Sequence, residues 1–404
     1  MMMSHISMPQ IAEDKTISSR HEFLPYGRQW IDEEDIDAVI SVLRSDWITQ
    51  GPLVQRFEQA VAEQCGALYG VAMANGTAAL HAACVAAGIG DGDQVITTPL
   101  SFVASANCVL YCGGQPIFAD VCTDALTIDV TEIEKRLTPK TKAIIAVDFS
   151  GHPCELDEIR AFAQKHNLIV IEDAAHSLGA FYKGKPVGGL SDMTVLSFHP
   201  VKHITTGEGG MVLTNNPEFA ERLERFRTHG ITRQRESFQE VDQGPWYYEM
   251  LDLGHNSRIT DFQCALGLSQ LNKLNMFVES RRELARCYQE SLEELQEIQL
   301  PIELPTVRSS YHLFPIRLQL QQLKKTRREI FQELQDCGLG VNVHYIPIPW
   351  HPFYQKLGYQ KKQWPVAEAA YEELISLPIW PAMSKNDVDR VIQSVKKVVG
   401  HSKK

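Results

Sequence analysis

The chain has 404 residues, of which 44% are hydrophobic, so it is long enough for two lobes that each bury a core. Its formal net charge of −11 at pH 7 argues against nucleic-acid binding as the main task, because no long basic run offsets it. No apolar run approaches the ~18 residues of a membrane span, and residues 1–20 lack the apolar core of a signal peptide. We therefore expect a cytoplasmic protein without a nucleic-acid or membrane partner.

The cysteines and histidines predict no metal site. The chain has nine cysteines, and its nearest pair, Cys108 and Cys112, lacks the two-residue gap of a metal or redox motif. We expect reduced, mostly buried thiols. His199 and His203 have no carboxylate or third ligand within their own motif, so a metal is not expected there either.

Residues 1–22 are predicted to form a flexible tail, and residues 32–43 an acid-started helix. From residue 54 to about 215, short apolar runs alternate with helical segments, which indicates a mostly parallel sheet between layers of helices. The seven predicted strands cover residues 71–74, 94–97, 116–119, 143–147, 168–171, 195–198 and 211–213.

The last third of the chain predicts a smaller α+β domain. Two long amphipathic patterns cover residues 260–274 and 277–297, and the second is a candidate connector between lobes. Beyond them we expect strands near residues 311–318 and 341–345 around a helix over 325–337, and a closing helix over 385–399. This pattern divides the chain into a large α/β domain, residues 23–275, and a small C-terminal α+β domain, residues 276–404.

Three stretches carry residue types that suit one cofactor. Gly76 and Thr77 follow a predicted strand and open a helix, where backbone N–H groups and a hydroxyl can hold a phosphate. Asp173 follows the strand over residues 168–171, so its carboxylate would reach the crevice where open α/β sheets bind ligands. An ordinary capped helix remains an alternative at both places.

Lys202 lies in a Pro- and Gly-marked loop that begins at Ser197, directly after a predicted strand. A lysine in such a loop can lose hydration, which lowers its pKa and makes its amine a nucleophile toward an aldehyde. A solvated surface lysine is the alternative. Together with Asp173 as partner of a pyridinium nitrogen, Lys202 would suit pyridoxal 5'-phosphate (PLP).

The order of these motifs resembles that of the DegT-type nucleotide-sugar aminotransferases, which are fold-type I PLP enzymes. The resemblance covers nearly the whole chain from Phe23 onward. It is most similar to the branch that aminates C4 of UDP-4-keto-6-deoxy-N-acetyl-altrosamine, giving UDP-4-amino-4,6-dideoxy-N-acetyl-β-L-altrosamine, on the way to pseudaminic acid. The stretches that carry the resemblance are residues 75–80, 98–104, 172–177, 197–202 and 254–258.

The resemblance implies roles for further residues. Phe102 would stack on the pyridine ring, His176 would buttress Asp173 or face the ring, and Ser197 would join Thr77 as a phosphate donor. Asn256 would reach the phosphate or substrate of the neighbouring subunit. Core packing, a structural histidine and a turn residue are the respective alternatives for Phe102, His176 and Asn256.

The same resemblance places the sugar-nucleotide at two further segments, together with Tyr26. A packed aromatic residue, a plain loop and core packing are the competing interpretations. The segments contribute Asp46, Trp47, Ile48 and Thr49 near the N-terminus, and Asn342, Val343, His344 and Tyr345 in the smaller lobe.

The expected reaction takes an amino group from L-glutamate through Lys202 and PLP to the UDP-sugar, in a homodimer with shared active sites. Another keto-sugar nucleotide, aminated at C3 or C4, stays an alternative substrate, because one sequence does not reveal shape discrimination. A related dehydratase branch carries histidine in place of the lysine, so Lys202 argues against it. A non-catalytic PLP-fold binding or regulatory module is the alternative of another class.

Overall fold

A computed structural model describes residues 23–404, and the expected tail over residues 1–22 lies outside this described part. The helices are α1 (Glu33–Leu43), α2 (Pro52–Gln64), α3 (Gly76–Ala86), α4 (Ala104–Tyr111), α5 (Val130–Arg136), α6 (Leu156–His166), α7 (Pro217–Arg227), α8 (Asp261–Asn272), α9 (Leu274–Leu292), α10 (Arg327–Asp336), α11 (Pro352–Lys356), α12 (Pro365–Glu373) and α13 (Lys385–Gly400). Short 3₁₀ turns cover Phe149–Gly151, Arg235–Ser237, Leu320–Gln322 and Ile348–Trp350.

The strands of the large lobe are β1 (Tyr69–Met73), β2 (Gln94–Thr97), β3 (Gln115–Phe118), β4 (Thr141–Val147), β5 (Ile169–Asp173), β6 (Phe181–Tyr182), β7 (Lys185–Pro186), β8 (Met193–Ser197), β9 (Gly210–Thr214), β10 (Ile231–Thr232) and β11 (Glu249–Met250). Those that follow are β12 (Ile298–Gln299), β13 (Val307–Arg308), β14 (Phe314–Leu318) and β15 (Leu374–Leu377).

Several helices begin where the sequence supplies a reciprocal cap. In each case the N-cap side chain accepts a hydrogen bond from the backbone three residues on, and that residue's side chain accepts one in return, which satisfies two otherwise free N–H groups. The pairs are Asp32 with Asp35, Thr260 with Gln263, Thr326 with Glu329, and Ser384 with Asp387.

The central sheet has seven strands in the order β1-β9-β8-β5-β4-β2-β3. Strands β8, β5, β4, β2 and β3 run parallel to one another, whereas β9 runs antiparallel to both of its neighbours. The prediction of a mostly parallel seven-stranded sheet between helices is therefore confirmed. Because β4, β5 and β8 are parallel, their carboxyl ends at Val147, Asp173 and Ser197 meet at one edge.

The smaller lobe is built on an antiparallel sheet in the order β12-β14-β15. The predicted strand over residues 341–345 is wrong: this stretch makes one isolated bridge, from Asn342 to Ser376. The Asn342 side chain accepts from the Val343 amide at 2.8 Å, and Pro347 has no N–H to offer, so the backbone turns away from a ladder. Strand β15 takes the edge position beside β14 instead.

Helix α9 contributes side chains to two of the hydrophobic cores. Its first turns contribute Leu274 and Phe277 to the core below the central sheet, and later turns contribute Leu284 and Tyr288 to the core of the smaller lobe. The division of the chain near residue 275 stays a prediction.

Over residues 23–404, none of the helices combines the length and apolarity that a membrane crossing needs. The same part of the chain holds no cluster of three or more His, Cys, Asp or Glu side chains suited to a metal ion.

Candidate active site

A cavity of about 780 Å³ opens at the carboxyl edge of the central sheet and is closed on one side by the smaller lobe. It brings together most of the residues that the sequence predicts for the site. These are Tyr26, Gly76, Thr77, Phe102, Asp173, His176, Ser197, Lys202, Asn342, Val343, His344 and Tyr345.

Lys202 is the one lysine among the described residues that line this cavity. The loop after β8 fixes its backbone, since the Lys202 amide donates to the His199 carbonyl at 2.9 Å. Burial lowers the pKa of Lys202 to about 8; Asp173 opposes the shift, and the positive charge of Arg281 adds to it. A useful fraction of the side chain is therefore the nucleophilic amine near neutral pH.

Asp173 ends β5 and is 5% exposed. Its carboxylate accepts from the Ser105 hydroxyl at 2.6 Å and from the Ala175 amide at 3.3 Å. Burial raises the pKa of Asp173, and the Ser105 and Ala175 hydrogen bonds oppose that shift. Among the described residues no basic side chain forms an ion pair with it, so this buried carboxylate suits a cationic ligand atom.

The N-terminus of α3 forms the wall opposite β8. Asn75 caps the helix by accepting from the Ala78 amide at 2.8 Å. A Cβ atom on Gly76 would lie 3.1 Å from the Ser197 Cβ, so only glycine leaves this approach uncrowded. Thr77 and Ser197 add hydroxyls beside the helix end, and the arrangement suits a phosphate.

Two aromatic side chains flank the space between these groups. Phe102 is 56% exposed toward the cavity, and its ring centroid lies 6.2 Å from that of Tyr345. The Tyr345 hydroxyl is 3.2 Å from His176 Nε2, and burial lowers the pKa of His176 well below its usual range. His176 is therefore neutral, and it lines the cavity instead of buttressing Asp173, a task that Ser105 performs.

The smaller lobe supplies the remaining polar wall. His344 Nδ1 lies 2.8 Å from the Ser376 hydroxyl, and its Nε2 lies 3.2 Å from the Asn342 amide nitrogen. Tyr26 lies beside the His344 ring with centroids 5.3 Å apart. Burial lowers the pKa of His344 to about 4, so it is a neutral hydrogen-bonding group at pH 7.

Five predicted site residues do not line the cavity of their own chain. Trp47 and Ile48 are 57% and 52% exposed, and Thr49 bridges Thr260 at the start of α8. Asn256 is exposed and bridges Thr228. Asp46, Trp47, Ile48, Thr49 and Asn256 stay predictions for a substrate or subunit contact.

Sequence reasoning missed several groups at the site. Ser105 holds Asp173, Ser101 lies 2.7 Å from the Ser105 hydroxyl, and Glu208 and His312 line the cavity. Ser101 precedes α4 and Ser105 lies in its first turn, so helical spacing gives no signal for the pair. The contact from Ser105 to Asp173 spans 68 residues, and no local pattern predicts it.

These groups fit PLP. Lys202 offers an amine with a lowered pKa, Asp173 offers a buried carboxylate without a cation, and α3 offers an anion site. All three face one cavity, and Phe102 presents an open ring there.

Comparison with known proteins gives the same result. The profile of the DegT/DnrJ/EryC1/StrS aminotransferase family matches residues 29–396. An uncharacterised protein of Methanocaldococcus jannaschii is 43% identical over 95% of this chain and 100% of its own length. The spore coat polysaccharide biosynthesis protein SpsC of Bacillus subtilis is 39% identical over 95% of this chain and 99% of its own.

Solved structures agree in fold over most of the chain. PseC of Helicobacter pylori, an aminotransferase of pseudaminic acid biosynthesis, is 33% identical with a TM-score of 0.87, covering 94% of this chain and all of its own. The PLP form of the sugar aminotransferase Spr1654 of Streptococcus pneumoniae is 29% identical with a TM-score of 0.87, covering 94% of this chain and 99% of its own. The chain belongs to the DegT/DnrJ/EryC1/StrS aminotransferase family and is a PLP-dependent sugar aminotransferase.

Proposed function

We propose that the enzyme transfers the amino group of L-glutamate to C4 of a UDP-4-keto-6-deoxy-N-acetylhexosamine, forming UDP-4-amino-4,6-dideoxy-N-acetyl-β-L-altrosamine for pseudaminic acid biosynthesis. The observation that carries the choice of sugar is the likeness to Helicobacter pylori PseC, which extends over 100% of that chain. The resemblance of residues 197–202 to the same branch adds support from the sequence.

The proposed chemistry assigns separate tasks to PLP, Lys202 and Asp173. PLP supplies a carbonyl that exchanges amino groups and a ring that accepts electrons. Lys202 Nζ would hold the cofactor's carbonyl carbon, and as a free amine it would move a proton at the substrate carbon. Asp173 holds a proton on the ring nitrogen, because its buried carboxylate gains most from a cationic neighbour.

The remaining residues position the ligands. Thr77, Ser197 and the α3 amides bind the phosphate, and Phe102 covers the ring. Tyr26 and residues 342–345 are assigned to the sugar-nucleotide, which the polar wall around His344 and Tyr345 supports. Two successive half-reactions at one site predict ping-pong kinetics.

We infer that the active enzyme is a cytoplasmic homodimer with shared sites. Exposed Trp47 and Ile48 and exposed Asn256 lie outside the cavity of their own chain, and a second subunit would give them a ligand to contact. The nine free thiols support a reducing compartment.

An alternative substrate is another keto-sugar nucleotide of polysaccharide synthesis. The observation that favours it is the 39% identity to Bacillus subtilis SpsC, a spore coat polysaccharide protein. Both substrates would use the same lysine and carboxylate, so they would differ only in their contacts with the polar side chains around His344 and Tyr345.

Purified enzyme incubated with L-glutamate and each of several keto-sugar nucleotides tests the assignment. We expect the UDP-4-keto-6-deoxy-N-acetyl-altrosamine to give a 4-amino product with a kcat/KM at least about tenfold above the others, a ratio that one or two pocket contacts supply. Lys202→Ala is the control and gives no product. Preferred turnover of a dTDP-linked 4-keto-6-deoxyhexose would overturn the UDP-sugar assignment and favour the alternative.

A further inference from the structure

Arg281 on α9 is a fully buried cation behind the active site, with 0% of its surface exposed. Its Nη1 donates to the carbonyls of Tyr311, His312 and Ile379 at 3.3, 3.2 and 3.0 Å. Its Nε and Nη2 have no hydrogen-bond partner within residues 23–404, and no carboxylate of that range pairs with it. The guanidinium is therefore held in place while its charge stays uncompensated.

Three neighbouring imidazoles, which we call the histidine layer, pack together where Arg281 binds the His312 carbonyl: His176, His203 and His312. Two of them, His176 and His312, line the same cavity as Lys202. The ring centroid of His312 is 4.4 Å from that of His176 and 5.6 Å from that of His203. His203 directly follows Lys202 and lies with Nε2 3.2 Å from the Ser310 carbonyl. Burial lowers the pKa of all three well below the usual range, so the layer is neutral at pH 7.

Asp173 and Arg281 are the two charged groups that shift the pKa of Lys202. Asp173 is the anion at the end of β5, and Arg281 is the cation on α9; burial lowers the pKa of Arg281 to about 9, so it stays protonated at pH 7. The other titratable groups of the surrounding elements are His176, His199, His203, His312, His344, Tyr26 and Tyr345, together with the exposed Glu208 at the rim.

We propose that Arg281 is a positioning residue for amino transfer: its fixed positive charge beside the histidine layer keeps Lys202 a neutral amine, whose nitrogen bonds to the aldehyde carbon of the cofactor while the aldehyde oxygen leaves as water. This inference rests on the proposed role of Lys202. The histidine layer is buried and carries no charge, so the field of Arg281 reaches the lysine without the screening of bulk water. Without that field, Asp173 would favour the protonated ammonium.

Arg282 on the same helix is a matched control. It also holds backbone carbonyls, those of Ser309 and Gly179, at 2.8 and 3.1 Å. It is partly exposed and has Glu279 as an acidic partner, so its charge is compensated. Arg282→Gln removes a comparable structural clamp but leaves the field at Lys202 intact.

The test is competitive acetylation of the full-length protein, freed of PLP, with trace acetic anhydride from pH 6 to pH 10.5. Peptide mass spectrometry follows Lys202, with exposed Lys385 in the same digest as reference. In the wild type we expect a midpoint near pH 8. In Arg281→Gln the midpoint moves upward, and Lys202 labelling at pH 7 falls about three- to tenfold, since one pKa unit is a tenfold change in amine.

Arg282→Gln, the matched control, keeps the wild-type midpoint throughout. Folded Arg281→Gln with an unshifted midpoint, with folding verified by circular dichroism, would overturn the proposal. If Arg281→Gln does not fold, the guanidinium carbon-13 shift of wild-type Arg281 decides, assigned by its loss in Arg281→Lys. A neutral guanidine at pH 7 would then contradict the proposed field.

One further experiment distinguishes a failure of this inference from a failure of the proposed function. Reloading the protein with PLP before acetylation protects Lys202 if that lysine holds the cofactor. Absence of protection would remove the proposed role of Lys202, whatever the result for Arg281.

Discussion

Asp173 and Lys202 influence each other's protonation across the cavity. The carboxylate raises the pKa of the lysine, and the lysine lowers the pKa of the carboxylate, while burial drives both shifts in the opposite direction. Each group is thus poised to change its charge when a ligand enters. A cationic ring nitrogen would take over the role of Lys202 as the partner of Asp173.

Asp173→Asn tests this at the level of one residue. We expect the rate of amino transfer from L-glutamate to fall about 10²- to 10⁴-fold, because an amide cannot hold a proton on the ring nitrogen. Stopped-flow absorbance of the first half-reaction measures it. Ser105→Ala, which leaves the carboxylate in place, is the control and should lose less than about tenfold; equal losses would contradict the role of Asp173.

The sequence predicts the residues whose roles depend on local context. It misses those whose roles depend on contacts with residues distant in sequence. Lys202 and Asp173 follow strand ends, where parallel-sheet geometry brings them to one edge. Arg281 lies within an ordinary amphipathic pattern of α9. Only the tertiary structure shows that its helix turns a charged side chain toward the three backbone carbonyls between the lobes.

At the scale of elements, the N-terminus of α3 lies close to β8, and the proposed phosphate site depends on this close approach. In Gly76→Ala, the new Cβ would lie 3.1 Å from the Ser197 Cβ and would push apart the two walls of the phosphate site. We expect PLP affinity to fall about tenfold, measured by fluorescence titration of the protein freed of cofactor. Gly90→Ala, where no atom lies within 4 Å of the added Cβ, is the control and should bind as the wild type does.

Two buried carboxyls lie behind the site: Glu172 on β5, and Asp148, which directly follows β4. Burial raises the pKa of both, and the negative charge of Glu172 adds to the shift of Asp148. Because these pKa values lie above those of the unfolded chain, the folded state holds more protons. The free energy of unfolding contributed by the pair is therefore full below the unfolded values, near pH 4, and declines as pH rises.

Asp148→Asn should make that decline shallower, because an amide needs no proton to stay neutral. Urea unfolding of both proteins at intervals from pH 5 to pH 8 measures the slope. Asp157→Asn, at an exposed ion pair with Lys183, is the control and should keep the wild-type slope. A slope no shallower than that of the wild type would show that the carboxyl is already ionised in the folded protein over this range.

The element prediction fails where tertiary contacts replace a ladder. Residues 341–345 have the composition of a strand, yet His344 binds the Ser376 hydroxyl and Asn342 binds its own neighbouring backbone. These contacts turn the segment into the cavity wall. The residues proposed to bind the sugar are therefore the same residues whose contacts prevent this segment from forming a strand.

At the scale of the whole molecule, some predicted site residues, among them Asn256, lie outside the cavity of their own chain. We therefore predict that each active site uses residues from two subunits. If Asn256 serves the neighbouring site, Lys202→Ala and Asn256→Ala subunits are each inactive or nearly so, but random mixed dimers contain one intact site. Refolding an equal mixture should restore about a quarter of wild-type activity. Activity no higher than that of Asn256→Ala alone would place Asn256 outside the partner's site.

Lys202 is the amine proposed to hold PLP, and the roles of the other site residues depend on it. Borohydride reduction of the PLP-loaded protein fixes the cofactor to its lysine, and peptide mass spectrometry then locates the phosphopyridoxyl group. We predict that the group is on Lys202, in the peptide that contains residues 197–202, and that Lys202→Ala yields no such adduct. A stoichiometric adduct on any other lysine would contradict the site described here and the roles of Asp173 and Arg281 that depend on it.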